Sequence, residues 1–313
     1  MKWLYSKAVN EIARMTDLPP DFKAYLATQF DFSLPAVRQI LSASDGSTKF
    51  VLELQDGNLI ESVLMPEAEK NTLCLSSQVG CAFGCAFCAT GKLGPVRDLT
   101  VHEIVSQVIV ARQFLKETKL TNLVFMGMGE PLDNLENVIQ AIRILQSDYT
   151  LQFSPRKMTV STSGFVPKIY ELADTGIKVK LAVSLNSAID EKRNQIMPIN
   201  RKYDLSELKK SLIYFRKNSP WRITLEYVMI AGFNLGEEDA KALQKFAGDL
   251  SCKLNLIAYN PVKDLPWKSP SSREAHAFLE RMQRLPIAVT IRKSRGTDIS
   301  AACGQLAASN RNK

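Results

Sequence analysis

The sequence predicts an α/β protein in which parallel strands alternate with crossover helices. From Leu73 onward, short apolar or β-branched runs alternate with amphipathic stretches of helical period, and 313 residues suffice for one large domain with a small companion. A hydrophobic share of 45% against 23% charged, with 15 glycines and 14 prolines, excludes a disordered or collagen-like chain. The alternation alone leaves open whether the strands form an open sheet or a barrel.

The first 15 residues place Trp3, Leu4, Val9, Ile12 and Ala13 at roughly helical spacing. Thr16-Asp17-Leu18-Pro19-Pro20 stops that helix and residues 21–29 start another, so 1–45 is expected to be a small helical accessory module. Runs at 49–54 and 59–65 flank the turn signal Gln55-Asp56-Gly57-Asn58, which predicts a β-hairpin extension over 46–72. Residues 73–313 form the main unit. Its strands are expected at 73–77, 122–126, 157–161, 178–184, 223–230, 254–258 and 287–292. Helices are expected at 101–117, 135–146, 166–175, 204–217, 236–250 and 273–284.

The formal charge is +8, and its distribution matters more than its size. Residues 260–313 hold ten basic and four acidic side chains, so +6 of the excess sits in the last 54 positions, which suits contact with a polyanion such as nucleic acid. No apolar run approaches the ~18 residues of a membrane span, and the N-terminus lacks a small-residue cleavage site. A cytoplasmic protein with no membrane association is expected. The two histidines, His102 and His276, fall in helical patterns away from any motif, which argues against histidine acid–base chemistry.

Six cysteines in a chain of this length, without a signal peptide, point to metal binding or chemistry before disulfides. Three lie in Gly80-Cys81-Ala82-Phe83-Gly84-Cys85-Ala86-Phe87-Cys88, a C-x-x-x-C-x-x-C run just after a strand. Cys81, Cys85 and Cys88 can hold three irons of a [4Fe–4S] cluster and leave the fourth iron open to another ligand. Tetrahedral zinc is the alternative, but it needs a fourth ligand that this run does not supply.

This spacing, with Phe87 directly before the last cysteine, resembles the radical S-adenosylmethionine superfamily. The Gly-x-Gly-Glu turn in Met126-Gly127-Met128-Gly129-Glu130-Pro131 matches the second motif of those enzymes. Further stretches narrow the resemblance to the adenine methyltransferases known as RlmN and Cfr. They are Thr72-Leu73-Cys74-Leu75-Ser76-Ser77-Gln78-Val79-Gly80, Ser161-Thr162-Ser163-Gly164, Leu181-Ala182-Val183-Ser184-Leu185, Met197-Pro198-Ile199-Asn200, Leu225-Glu226-Tyr227-Val228-Met229, Asn260-Pro261, and Ile291-Arg292-Lys293-Ser294-Arg295-Gly296 leading to Ala302-Cys303-Gly304-Gln305-Leu306.

The resemblance implies a partial (β/α)6 barrel of the radical SAM type, carrying a C-terminal methyl-carrier segment. It implies a [4Fe–4S] cluster on Cys81, Cys85 and Cys88 and S-adenosylmethionine consumed twice per turnover. Gly129, Glu130, Ser161, Ser184, Leu185, Asn186 and Asn260 would hold that cofactor. Cys303 would carry a methyl group to C2 of an adenine in 23S rRNA, and of the adenine next to the tRNA anticodon. Cys74 would resolve the covalent adduct through a transient disulfide with Cys303, and Glu61 would accept the C2 proton. A reductant for cluster and disulfide is then required, and a monomer is expected. Asn186 stands where the family usually has histidine, and the segment before Thr48 is shorter than usual. The Arg-Lys-Ser-Arg-Gly stretch and Glu130-Pro131 look more like the RlmN branch. The alternatives are the C8-directed, antibiotic-resistance Cfr branch and a non-catalytic RNA-binding zinc or iron–sulfur protein.

Overall fold

The computed structural model describes residues 2–115 and 118–307. Its elements in chain order are α1 (Pro20–Gln29), β1 (Ala36–Ser42), β2 (Thr48–Glu53), β3 (Leu59–Glu67), β4 (Lys70–Cys74), β5 (Gln78–Gly80), α2 (Ala89–Leu93), β6 (Pro95–Asp98) and α3 (Val101–Leu115). There follow β7 (Asn122–Phe125), α4 (Leu135–Gln146), β8 (Met158–Thr162), α5 (Val166–Asp174), β9 (Lys180–Ser184), α6 (Asp190–Ile196) and α7 (Leu205–Asn218). The chain continues with β10 (Ile223–Met229), α8 (Glu237–Gly248), β11 (Cys252–Ala258), α9 (Ser272–Met282) and β12 (Val289–Arg292).

Ten strands form one sheet in the order β1-β2-β3-β4-β7-β8-β9-β10-β11-β12. The pairs from β1 to β4 are antiparallel, whereas β4 and every strand after it in that order pair in parallel. Six β–helix units and a seventh parallel strand result, in agreement with the predicted partial barrel. Strands pair in parallel here because each crossover carries an amphipathic helix. On α4, Leu135, Val138, Ile139, Ala141, Ile142 and Leu145 bury one face. Asp204 caps α7 by accepting the Glu207 N–H at 2.8 Å, and Ser271 forms a capping box with Glu274 on α9.

The order is linear from β1 to β12, so the barrel is left open between β4 and β12. Residues 295–307 bridge that seam. Gly296 N–H donates to Asp45 (3.0 Å), Ser44 N–H to Asp298 (2.9 Å) and Lys49 to the Ser300 carbonyl (3.2 Å), while Arg295 donates to the Pro66 carbonyl. Ala307 N–H donates to Glu61 at 2.9 Å. The C-terminal segment is thereby carried from β12 across to β2 and β3, which places residue 303 opposite the end of β4.

Several expectations change. Residues 1–15 do not make one helix: a single wide turn at Lys2–Ser6 and a short turn at Ile12–Arg14 are separated by Ala8, whose φ of 52° breaks helical continuation. Within 1–45, expected to be helical, Ala36–Ser42 is a strand that extends the hairpin into a meander. The boundary expected between 72 and 73 falls inside β4, which pairs with β3 on one side and β7 on the other, so hairpin and barrel share one sheet. The first barrel strand starts at Lys70 and ends at Cys74. Residues 75–77 leave it because Leu75 and Ser77 bond to the irregular segment after β7. The positions 116–117 of the expected helix 101–117, and Arg311 and Lys313 of the basic tail, lie outside the described residues. Among the described residues no helix is long and apolar enough to cross a membrane.

Candidate active site

The cysteine loop follows β5 and turns into α2. Cys81 N–H donates to the Gly94 carbonyl (3.0 Å) and Ala86 N–H to Ile196 (2.9 Å), so backbone bonds fix the loop from two sides, and Cys88 N–H to Cys85 (3.1 Å) closes a turn within it. Cys81, Cys85 and Cys88 line one wall of a cavity whose other walls include Gly127, Gly129, Glu130, Ser161, Ser184, Asn186, Asn260 and Cys303. These residues come from the carboxyl ends of different strands, where barrels of parallel strands collect ligands.

The three thiols fit a cluster better than a single ion. Burial pushes Cys81 up to about 12 and Cys85 well above the usual thiol range, and in each case the neighbouring cysteines add to the rise. Buried thiols that repel one another as thiolates are relieved by iron, which takes them deprotonated. Zinc would draw four donors to ~2.3 Å from one point. Among the described residues no three of His, Cys, Asp or Glu converge in that way, whereas a cubane binds each cysteine at a separate corner.

Opposite the cysteines, the Gly127–Glu130 turn is shaped by close backbone approach. Gly129 has φ +97°, and a Cβ there would lie 2.6 Å from Gln78 Cβ and 2.8 Å from Gln78 N. At Gly127 a Cβ would meet the Leu75 carbonyl oxygen at 2.7 Å. Glu130 is buried, and its carboxylate accepts Ser163 N–H (2.7 Å), Ser163 Oγ–H (2.8 Å) and Leu132 N–H (3.2 Å). Burial raises its pKa against the pull of those donors. Ser161 lines the cavity and donates to the Phe125 carbonyl at 2.6 Å. Asn260 donates to the Cys303 carbonyl at 3.2 Å, which joins the cofactor wall to the carrier segment.

A second cavity opens beside the first and is lined by Cys74, Arg292, Lys293, Arg295, Ala302, Cys303 and residues of β3, β4 and β7. Cys303 and Arg292 belong to both cavities. The loop that bears Cys303 is pinned at Gly304, whose carbonyl accepts Ala89 N–H (2.7 Å), and at Leu306, whose carbonyl accepts Thr90 Oγ–H (2.6 Å). Cys303 is exposed to the cavity even though protein surrounds it on most sides. Those surroundings push its thiol up, and Arg292 pulls it back. Cys74 is buried and pushed to about 12, first by burial and then by Cys303, again with Arg292 opposing.

Two of the expected site residues are not brought to either cavity. Leu185 follows Ser184 on the opposite face, packs in the core, and has its N–H tied to Glu226 O and its carbonyl to Arg193. Glu61 is buried on β3, where it pairs with Lys49 at 2.9 Å and holds Ala307 N–H, one step behind the cavity wall. Arg292 is the converse case. The motifs assign it no role in the site, yet it lies near Cys303, Glu226 and Cys74 inside the barrel. Trp267 donates to the Ala86 carbonyl at 2.9 Å and packs on Phe233, so it braces the cysteine loop.

The structure also shows residues for which the motifs imply no role. Arg193 is fully buried and donates to the carbonyls of Leu185 (3.0 Å), Ser163 (2.6 Å) and Ser184 (3.3 Å) and to Asn200 (2.7 Å). It ties the ends of β8 and β9 to α6, and burial lowers its pKa to about 10. Glu226 lines the first cavity from β10. It lies in the stretch 225–229 that carries the family resemblance, and strand alternation is the signal that turns it to the cavity, since Leu225 and Tyr227 are core residues and Glu226 must face the other way.

Comparison with known proteins agrees with this geometry. Residues 75–244 match the radical SAM superfamily. A probable dual-specificity RNA methyltransferase RlmN from Akkermansia muciniphila is 43% identical, covering 98% of this chain and 87% of its own. The dual-specificity RNA methyltransferase RlmN of Geotalea uraniireducens is 45% identical over 97% of this chain and 88% of its own. The crystal structure of a radical SAM methyltransferase from Sphaerobacter thermophilus superposes with a TM-score of 0.94 at 40% identity, covering 97% of this chain and 90% of that one. With a cysteine triplet, a glycine–glutamate turn and two facing cysteines around adjoining cavities, the chain belongs to the RlmN family of radical SAM methyltransferases.

Proposed function

We propose that this protein is an RNA methyltransferase that places a methyl group on C2 of an adenine in 23S rRNA and in tRNA, with Cys303 as the methyl carrier. The observation that supports it most directly is Cys303 itself, shared by the cavity of the cysteine triplet and the cavity of Cys74. The [4Fe–4S] cluster and S-adenosylmethionine supply, when bound, an electron, a methyl group and a carbon radical. Cys81, Cys85 and Cys88 hold the cluster. Gly129, Glu130, Ser161, Ser184, Asn186 and Asn260 surround the cofactor.

C2 of adenine lies between two ring nitrogens and is too electron-poor to attack a sulfonium methyl, so the carbon must arrive as a radical. Cys303 first accepts a methyl as a thiolate, with Arg292 stabilising its negative charge. A hydrogen atom is then removed from the S-methyl group, and the methylene carbon adds to C2. Release needs loss of the C2 proton and cleavage of the sulfur–carbon bond. Cys74 forms the S–S bond to Cys303 as the sulfur–carbon bond breaks, the released carbon takes a proton to complete the methyl group, the one electron left over would return to the bound iron–sulfur group, and an external thiol reductant later restores both thiols. Glu61 takes the proton once the carrier segment shifts and frees it from Ala307 N–H. Residues 1–35 act as an accessory grip on RNA, the antiparallel strands β1 to β3 as an extension, and β4 onward as the catalytic unit. One chain supplies every candidate residue, consistent with a monomer, and six free cysteines suit a reducing cytoplasm.

The test is nucleoside mass spectrometry of 23S rRNA and tRNA after incubation with the reconstituted protein, S-adenosylmethionine and a low-potential reductant. The expected product is 2-methyladenosine in both RNAs. Formation of 8-methyladenosine, or of no methylated base, contradicts the reading.

A further inference from the structure

Glu226 has no part in the chemistry above, yet it holds a singular place in the cavity. The residue is only 7% exposed. Its Oε1 accepts Asn255 Nδ2–H at 3.0 Å, and Asn255 is held in that orientation because its Oδ1 accepts the Thr290 hydroxyl at 2.9 Å. The other oxygen, Oε2, is buried without a hydrogen-bond partner. A buried acceptor left unpaired costs the full desolvation of that group, so a side chain in this state on a ligand cavity marks a place where a ligand donor completes it. Burial raises the Glu226 pKa, and the charge of Arg292 and the Asn255 bond oppose that rise.

Its neighbours on the cavity wall limit what that donor can be. Ser184, Asn186 and Asn260 lie on the cofactor side, whereas Arg292 and Cys303 lie on the carrier side. Both molecules that meet here carry an adenosine: the cofactor through its ribose hydroxyls, and the target nucleotide through its exocyclic amine. Building on the function proposed above, we infer that Glu226 Oε2 is an adenosine-recognition acceptor, which receives an O–H or N–H donor of the nucleoside bound between Ser184 and Cys303. Hydrogen bonds to a charged group of this kind contribute about ten- to a hundredfold in affinity.

Two arms on the anaerobically reconstituted protein distinguish the sources. In the first, S-adenosylhomocysteine and its 2′-deoxy and 3′-deoxy forms are compared in equilibrium binding. In the second, kcat/KM is compared for RNA carrying adenosine or purine riboside, which lacks the amine, at the target position. The wild-type protein should lose about tenfold or more in one arm. In Glu226→Gln the carboxamide oxygen keeps the Asn255 bond and its NH2 replaces Oε2, so a donor faces a donor. The variant should bind the complete ligand about tenfold more weakly and no longer distinguish it from the truncated one. Loss in the first arm assigns the cofactor, and loss in the second assigns the target base. If wild-type protein tolerates all the truncations, or if Glu226→Gln alters only thermal stability, the inference is overturned whether or not the variant folds well. Wild-type methylation of adenosine RNA, measured alongside, reports on the proposed function separately.

Discussion

Asn186 shows how a backbone can choose a residue. Its φ of +57° lies in the left-handed region, which Asn and His enter far more readily than most residues. Asparagine therefore suits the turn after β9, and histidine at this position would suit it too. The side chain is used as well, since Oδ1 accepts Val228 N–H at 2.9 Å, while the backbone carbonyl of Asn186 accepts Asn234 Nδ2–H at 2.8 Å. Asn186→Ala should cost about 1–3 kcal/mol, through the unpaired Val228 N–H and the strain of alanine at this φ, read as a lower urea midpoint. Asn186→His should stay close to wild type in cofactor affinity, and equal stability of the alanine variant would contradict this assignment. Cys74 makes a different prediction. Cys74→Ala removes the resolving thiol, so the RNA should remain joined to Cys303 and migrate with the protein on a denaturing gel.

At the scale of elements, the glycine turn after β7 and the salt-bridged start of α3 carry the clearest expectations. Gly129→Ala forces a Cβ into Gln78, which in turn holds Glu130 N–H at 2.8 Å. Binding of S-adenosylhomocysteine should fall by at least tenfold while the iron content stays unchanged, and unaltered binding would separate the turn from the cofactor. On α3, burial raises the Glu103 pKa, but the bonds from Arg97 and from Thr100 N–H outweigh it and the net shift is downward. A carboxylate with a lowered folded pKa adds stability above its unfolded value of about 4.3, and that stability is lost as pH falls through the folded pKa. The gap in urea midpoint between wild type and Glu103→Gln should therefore be widest near pH 6 and close below about pH 4. Much of this was legible in the sequence. The alternating runs and the turn at Gln55–Asn58 gave most of the strands and helices because their periods and punctuation are local properties. Strand β1 was not legible, since Ala36–Ser42 is mostly exposed and lacks the alternation that marks a half-buried strand. Arg193 was equally hidden: Asp190-Glu191-Lys192-Arg193-Asn194-Gln195 has the composition of a solvated helix, and only the tertiary structure buries one of its charges.

For the whole molecule, the open seam of the barrel is the feature on which function turns. Only the family resemblance, and no local pattern, implied that Cys74 and Cys303 meet. Their convergence depends on residues 295–307 crossing from β12 to β2 and β3, a long-range event with no local signature. The reconstituted protein should be brown and contain about four irons per chain, as a complete cubane requires; a colourless, zinc-containing preparation would contradict that. The central claim is that carbon passes through Cys303 on its way to the base. It is tested most directly by incubating the reconstituted protein with methyl-deuterated S-adenosylmethionine in the absence of RNA and analysing the peptide that contains residue 303 by mass spectrometry. The account predicts one labelled methyl group on the Cys303 sulfur, transferable to RNA added afterwards. An unmodified Cys303 in protein that still methylates RNA would contradict it.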